Sequence, residues 1–316
     1  LLTKPFEDAP PRLCAWSIAV FARNERQTLI SCLKHIALAV NGRDAHVNVI
    51  LNGSTDGSAQ ALKAAAPEIA VPFSVHEIHY PDKSNAINQV VHRLRAQAEI
   101  CFFVDAYAMI TPNSLVDLAQ ALADNPRALA AAAVPSIGRS AEAMRAEMMV
   151  NPGLHGSLFA LRGDFVARMA ETGFRLPVGL YRGDGLIGSA VMHNLDALGV
   201  PWTKDFIAVA PSATWAFRPL SPWNSADRQR QWNRLLRQGR GELEDMAIKR
   251  IIYEGNYAAL PEFASALVRY LVKEDRPQLM ASLKRRPLGV LAVRDAFRAN
   301  DPGPEDIVPR LAFSRS

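Results

Sequence analysis

The stretch that most constrains the fold is residues 100–112, ICFFVDAYAMITP. Five apolar residues in a row are too few for a typical helix and suit a strand covered on both faces. The run ends in one carboxylate, Asp105, and Thr111-Pro112 reads as an N-cap followed by a proline in the first turn of the next helix. A buried strand that delivers an acid to its C-terminal edge matches the place where open α/β sheets hold ligands. Aspartate is also a common turn residue, so two readings of Asp105 stand on this stretch alone: a ligand-binding acid, or a side chain that ends a strand and ties down a loop.

Upstream, the same logic repeats. Residues 16–21 (WSIAVF) predict a strand that breaks into Ala22-Arg23-Asn24-Glu25, and a helix follows with Leu29, Leu33, Ile36 and Val40 on one face. Residues 47–51 predict a second strand. It ends in Asn52-Gly53-Ser54-Thr55-Asp56-Gly57-Ser58, residues that tolerate left-handed backbone or cap helices, so a tight turn into a helix after Ser58 is expected. A third strand is expected at 73–78 and a helix at 84–97, entered just after Lys83. Strands alternating with helices predict a mostly parallel, doubly wound α/β sheet whose functional loops share one edge. The loops at 22–25, 52–56 and 105–107 would converge there.

Composition excludes several classes. With 316 residues, 49% hydrophobic and 21% charged, the chain has the balance of a globular protein and the length to bury a large core. No apolar run approaches the roughly 20 residues of a membrane-spanning helix. The three cysteines, Cys14, Cys32 and Cys101, are odd in number, show no CxxC spacing and sit in apolar segments, which predicts reduced thiols and a cytoplasmic location. A formal net charge of +5 admits anionic partners without choosing among them. No GxGxxG or GxxxxGK[ST] loop and no HExxH motif occurs, which argues against a dinucleotide dehydrogenase, a P-loop NTPase or a zincin. The seven histidines are scattered and read as structural or exposed.

Four motifs, SIAVFARNE, VILNGSTDGS, KSNAIN and FFVDAYA, in this order and spacing, resemble the family 2 glycosyltransferases with the GT-A fold, over about residues 17–241. The resemblance implies a GT-A-like domain over 1–241, with a nucleotide-binding half at about 14–125 and an acceptor half at about 126–241, followed by a helical C-terminal extension at 242–316. It implies transfer of a sugar from a nucleotide-sugar donor to the hydroxyl of a glycan, lipid-linked or other acceptor, with inversion and one sugar at a time, and no nucleic acid partner. In this resemblance Ala22, Arg23, Asn24, Glu25 and Asn52 hold the nucleotide. Leu51-Asn52 stands where the family often has two acids. Asp56 matches the acid of the family's GSTD element, and helix capping explains it equally well. Lys83 matches a lysine beside the nucleotide, where it would neutralise the diphosphate as a point charge.

The family's DxD holds Mg²⁺ or Mn²⁺ against the diphosphate, and here the triplet is Asp105-Ala106-Tyr107. Asp105 keeps the metal-binding position in a degenerate form. Tyr107 is expected to hydrogen-bond phosphate or donor sugar, or basic side chains replace the cation. In the second half, residues 128–134 predict another sheet strand, and 144–151 a helix or linker. Residues 154–162 resemble the strand beneath the donor sugar. YRGDGLIG (181–188) resembles the family's acidic pair at a helix start, with Gly183 in place of the first acid and Asp184 as the candidate catalytic base. An aspartate at a helix N-terminus also serves as a cap.

QWNRL (231–235) partly matches the family's QxxRW element, with Leu235 replacing its tryptophan. Arg234 belongs to a row with Arg218, Arg228, Arg230, Arg237 and Arg240 that suits phosphate oxygens or an anionic surface. Trp232, Leu235, Leu236, Leu243 and Met246 form a helical apolar stripe whose default reading is core packing. Beyond 241, helices with the basic cluster Lys284-Arg285-Arg286 read either as an ordinary cap on the sheet or as a peripheral contact with the inner membrane face or another subunit. Two rivals are weighed. A nucleotidyltransferase of the same fold class would carry a glycine-rich signature after the first strand, which FARNE lacks. A non-catalytic nucleotide-sugar or glycan-binding protein would explain the altered DxD and Gly183.

Overall fold

The computed structural model describes residues 13–138, 141–217, 223 and 225–315; of residues 13, 225–227, 230, 233 and 234 it describes the backbone only. The expected lead-in at 1–12 and Arg218 lie outside the described residues. In β1 (Leu13–Ala22), Ile18 and Val20 pack on one face while Ala19 and Phe21 pack on the other, and all four are buried. An alternating backbone thus buries a continuous apolar run on both sides.

The first half proceeds through α1 (Arg26–Val40), β2 (Ala45–Asn52), α2 (Ser58–Ala65), β3 (Phe73–Ile78), α3 (Lys83–Gln89) and β4 (Gln97–Asp105). The expected helix over 84–97 is shorter: α3 passes into a π-helical turn at Val90–Leu94, and β4 begins at Gln97. β3, β2, β1 and β4 pair in parallel in that order.

The second half comprises β5 (Met109–Ile110), α4 (Ser114–Asp124), β6 (Ala130–Pro135), α5 (Ala141–Val150), β7 (Leu158–Arg162), α6 (Gly163–Glu171), α7 (Gly183–Met192) and β8 (Ile207–Ala216). The chain then forms α8 (Ser225–Gly255), α9 (Ala264–Glu274), α10 (Arg276–Arg285), α11 (Gly289–Arg298) and β9 (Arg310–Arg315). The sheet order is β5-β8-β6-β7-β4-β1-β2-β3-β9. β7 runs antiparallel between β4 and β6, so the sheet is parallel through its first half and mixed beyond it. The C-terminal ends of β1, β2, β4 and β6 and the entry to β7 therefore share one edge.

Two apolar layers flank the sheet. Phe103 stacks on Phe159 at 4.8 Å on one face, and Trp16 meets Phe102 edge-on at 5.0 Å on the other. Burying a phenylalanine contributes about 2–3 kcal/mol, so these neighbouring strands supply much of the force that holds the edge in place. Three expectations need correction. α4 starts at Ser114 rather than at Pro112, because Thr111 is drawn onto β8 through its N–H to the Thr214 carbonyl (3.2 Å). The segment after 248 is helical except for β9, which pairs antiparallel with β3 and sets Phe313 edge-on to Phe73 at 6.0 Å. Its mostly exposed, charge-flanked residues carry little strand signal, since it pairs chiefly through backbone. The apolar stripe of α8 is split: Leu243 is buried, but Trp232 and Leu235 are about half exposed.

α8 runs unbroken through Gly241. Gly239 lets it approach α11, because a Cβ there would stand 3.2 Å from the Gly289 nitrogen. Arg285 and Arg286 both turn to Glu242 of α8, so two cations of the basic cluster are paired within the fold. Among the described residues no helix is long and apolar enough to cross a membrane.

Burial, with His46 nearby, pushes the His76 imidazole down to about 4. The folded protein thus holds it neutral where the unfolded chain, near 6.5, takes up a proton. Stability is complete above pH 6.5 and declines as pH falls toward 4. Between pH 7 and 5 His76 is expected to cost about 2 kcal/mol. Urea unfolding at the two pH values checks this: His76→Gln should remove about 2 kcal/mol of the loss and leave the share of His92, which burial also pushes down to about 4.

Candidate functional site

The loops leaving β1 and β2 are stitched to each other. Asn24, at φ 55, accepts the Thr55 N–H on its Oδ1 (2.8 Å), and its own N–H donates to Ser54 Oγ (3.1 Å). Ser54 Oγ also reaches the Ala22 carbonyl at 3.4 Å. Asp56 accepts the Arg26 N–H (2.9 Å) at the start of α1, and the Ser58 N–H (3.1 Å) and hydroxyl (2.5 Å) at the start of α2. Burial raises its carboxyl, but the bonds from Ser58 and Arg26 outweigh that and hold it below its ordinary 3.8. Asp56 therefore acts as a double helix cap. Glu25 likewise begins α1, accepting the Leu29 N–H on its carbonyl (2.8 Å) and the Thr28 hydroxyl on its carboxylate (2.6 Å). Gly53, at φ 70, is required: a Cβ there would lie 2.5 Å from the Pro81 Cβ.

Between these loops Asn52 is buried, and among the described residues its side-chain Oδ1 has no hydrogen-bond partner. An orphaned buried carbonyl oxygen is costly and marks a place where a donor is wanted. Arg23 is exposed at the same edge, close enough to Asp82 to lower that buried carboxyl against the stronger upward push of burial. Asp82 caps α3 through the Asn85 N–H at 2.6 Å.

Asp105 ends β4 with 8% of its side chain exposed. Its Oδ1 pairs with the Lys83 ammonium at 2.5 Å, and its Oδ2 accepts the Tyr107 hydroxyl at 2.7 Å. Lys83, the first residue of α3, also donates to the Gly156 carbonyl (2.9 Å) and lies over the Phe21 ring, 5.7 Å from its centroid. Burial, and then the adjacent Asp105, push the Tyr107 phenol well above its ordinary 10. Tyr107 thus turns its hydroxyl onto Asp105.

Gly156 joins this pair to the second acid. Its N–H donates to Asp184 Oδ2 at 2.7 Å, while Asp184 Oδ1 accepts the Gly185 N–H of its own helix at 3.0 Å. A Cβ on Gly156 would stand 2.9 Å from the Lys83 nitrogen and 3.2 Å from Asp184 Oδ2, so any larger residue there must displace the lysine end and crowd the carboxylate. Gly183 has a similar cause: a Cβ there would meet Ser84 Oγ at 2.9 Å. Tyr107, Asp105, Lys83 and Asp184 therefore form one hydrogen-bonded chain at the sheet edge. Beside that edge, Val134, Ser136, Arg145, Met149 and Pro211 help to line a cavity of about 690 Å³ between β6, α5 and β8.

The loop that carries Asp184 is clamped from α8. Glu244, fully buried, accepts the Tyr181 N–H (3.0 Å) and Arg240 Nε (2.6 Å), and Arg240 donates to the Gly179 carbonyl (2.5 Å). Arg182 pairs with Asp245 at 2.5 Å. Burial raises the carboxyls of Glu244 and Asp245 against the pull of Arg240 and Arg182 respectively. The sequence reading did not single out Glu244 or Asp245; the i, i+4 spacing of Arg240 and Glu244 was the available signal. Arg234 lies on the α8 backbone, with its side chain outside the described residues.

The family model for glycosyl transferase family 2 matches residues 17–176, just over half of the chain. This chain belongs to glycosyl transferase family 2. Among solved structures it is similar to the mannosyltransferase PcManGT from Pyrobaculum calidifontis, crystallised with GDP-Man and Mn²⁺. That likeness has 20% identity and a TM-score of 0.59, over 95% of this chain and 81% of that one. It is also similar to residues 1–349 of S. aureus TarS, with 14% identity and a TM-score of 0.52, over 90% of this chain and 80% of that one. These likenesses show the GT-A fold. No curated protein matches the chain.

Asp105 has both oxygens engaged, and among the described residues no three His, Cys, Asp or Glu side chains converge on a point where a cation could sit. Two variants test the architecture. Gly156→Ala should push Lys83 and Asp184 apart and lower sugar transfer about 100-fold, with its melting temperature close to the parent's. Glu244→Ala, which leaves the Tyr181 N–H without its acceptor and Arg240 without its carboxylate, should cost about 1–3 kcal/mol in urea unfolding.

Proposed function

We propose that this protein transfers a sugar from a nucleotide-sugar donor to an acceptor hydroxyl, with inversion and one sugar per encounter. The observation that carries the reading is the continuous chain from Tyr107 through Asp105, Lys83 and Gly156 to Asp184, which brings a fixed cation and a carboxylate oriented by two backbone N–H groups to one edge of the sheet.

In this reading the nucleotide lies across the loops at 22–25 and 52–56. Asn24, Glu25 and Asp56 shape those loops through their own hydrogen bonds, and Ala22 contributes backbone. Arg23 is the exposed cation at the rim. Asn52 Oδ1, buried without a donor among the described residues, accepts an N–H of the base. The diphosphate lies against Lys83. Asp184 accepts the proton of the acceptor hydroxyl as that oxygen attacks the anomeric carbon. The bond from that carbon to the phosphate oxygen breaks on the opposite side, and its electron pair leaves on the nucleoside diphosphate. A single displacement needs one base near the nucleophile, and positive charge rather than an acid at the leaving group. The acceptor enters from the side of α5 and β6, where the cavity opens.

Asp184→Asn removes the base while keeping the shape of the helix start. It should lower transfer by about 10²–10⁴-fold, read on a panel of nucleotide sugars and hydroxyl acceptors. Nucleoside diphosphate affinity should stay within about threefold of the parent. An Asp184→Asn enzyme with full transfer would overturn the assignment of the base.

A further inference from the structure

We infer that this enzyme holds the donor diphosphate without a divalent cation, using the Lys83 ammonium, positioned by Asp105 and Tyr107, as its resident positive charge. The inference rests on the nucleotide-sugar reading above and concerns how the same site handles charge.

Three observations carry it. First, the donor set is wrong for a dication. Mg²⁺ and Mn²⁺ seek oxygen ligands, and a single carboxylate can serve if its oxygens are open. Here Asp105 Oδ1 is 2.5 Å from an ammonium and Oδ2 is 2.7 Å from a phenolic donor. Tyr107, where a second acid would complete the triplet, faces Asp105 as a hydrogen-bond donor, so it closes the carboxylate instead of extending the site.

Second, Lys83 is held rather than loose. It rises from the first position of α3, over the face of Phe21, and spans Asp105 and the Gly156 carbonyl at 2.5 and 2.9 Å. A dication entering at Asp105 would have to expel this ammonium and then sit beside it. Two such charges repel strongly at the 3–4 Å separations of a small site.

Third, the ammonium has capacity left. It carries three donors; one meets Asp105, one meets Gly156, and the third is available to a phosphate oxygen. With 34% of the Lys83 side chain exposed, that donor is reachable from solvent. Fixed charge of this kind stabilises a leaving diphosphate without reorganisation during the reaction.

The test is calorimetric titration of the protein with UDP, GDP, CDP, dTDP and ADP, once in excess EDTA and once in Mn²⁺. The expected result is that the nucleotide that binds does so with a Kd that differs less than threefold between the two buffers. Lys83→Met should weaken that binding at least tenfold in EDTA, with circular dichroism showing an unchanged fold. Tyr107→Asp, which restores a second acid, should make the affinity rise with Mn²⁺. Parent binding that tightens tenfold or more with Mn²⁺ would overturn the inference and leave the nucleotide-sugar reading standing. Failure of all five nucleotides to bind in both buffers would overturn the inference together with the donor-site reading. Should a variant fail to fold, the parent's comparison between buffers decides.

Discussion

Asp105 is almost wholly withdrawn from water at the end of β4, and its ion pair with Lys83 is what makes that burial tolerable. A buried carboxylate without a partner costs several kcal/mol, and removing one member of such a pair typically costs about 3–5 kcal/mol. The pair is held by the strands on either side. β1 brings Phe21 under the lysine, and the turn into β7 brings Ser157 and Gly156 beside the pair. Through Gly156 the same interaction reaches Asp184. The geometry of the edge thus depends on a single compensated charge.

Around this centre the fold divides its labour. The parallel half, through Asn24, Asp56 and Gly53, builds a loop pair whose polar side chains are mostly consumed in holding one another. Among the described residues, Asn52 Oδ1 is the buried acceptor they leave open. The mixed half brings Gly156 and Asp184, and α8 secures the latter's loop through buried Glu244 and Arg240. A site assembled from loops gains its precision from such packing and hydrogen bonds beneath it.

Legibility from the sequence follows physical range. β1, β2, β3 and β4 were readable within a few residues, because burial on both faces imposes a local apolar signature. β9 was not, because an edge strand that pairs through backbone has no need of apolar side chains. Trp232 and Leu235 have helical spacing with the core residue Leu243, yet lie about half exposed, since spacing alone does not say where a helix leaves the body of the protein. Asp105, Lys83 and Asp184 were nameable from their motifs. That Tyr107 turns onto Asp105, and that Glu244 clamps the loop before Asp184, required the fold.

The sequence by itself determined an α/β chain whose strands end in polar loops, because apolar runs, turn residues and caps act within a few residues of one another. It also determined which acids and which lysine stand at those ends. Only the tertiary structure decided what these groups do to each other. Lys83 and Gly156 are 73 positions apart in the chain and meet at 2.9 Å. Whether Asp105 offers open oxygens or a closed ion pair is a matter of that meeting, and distance in space sets the electrostatic energy where distance in sequence does not.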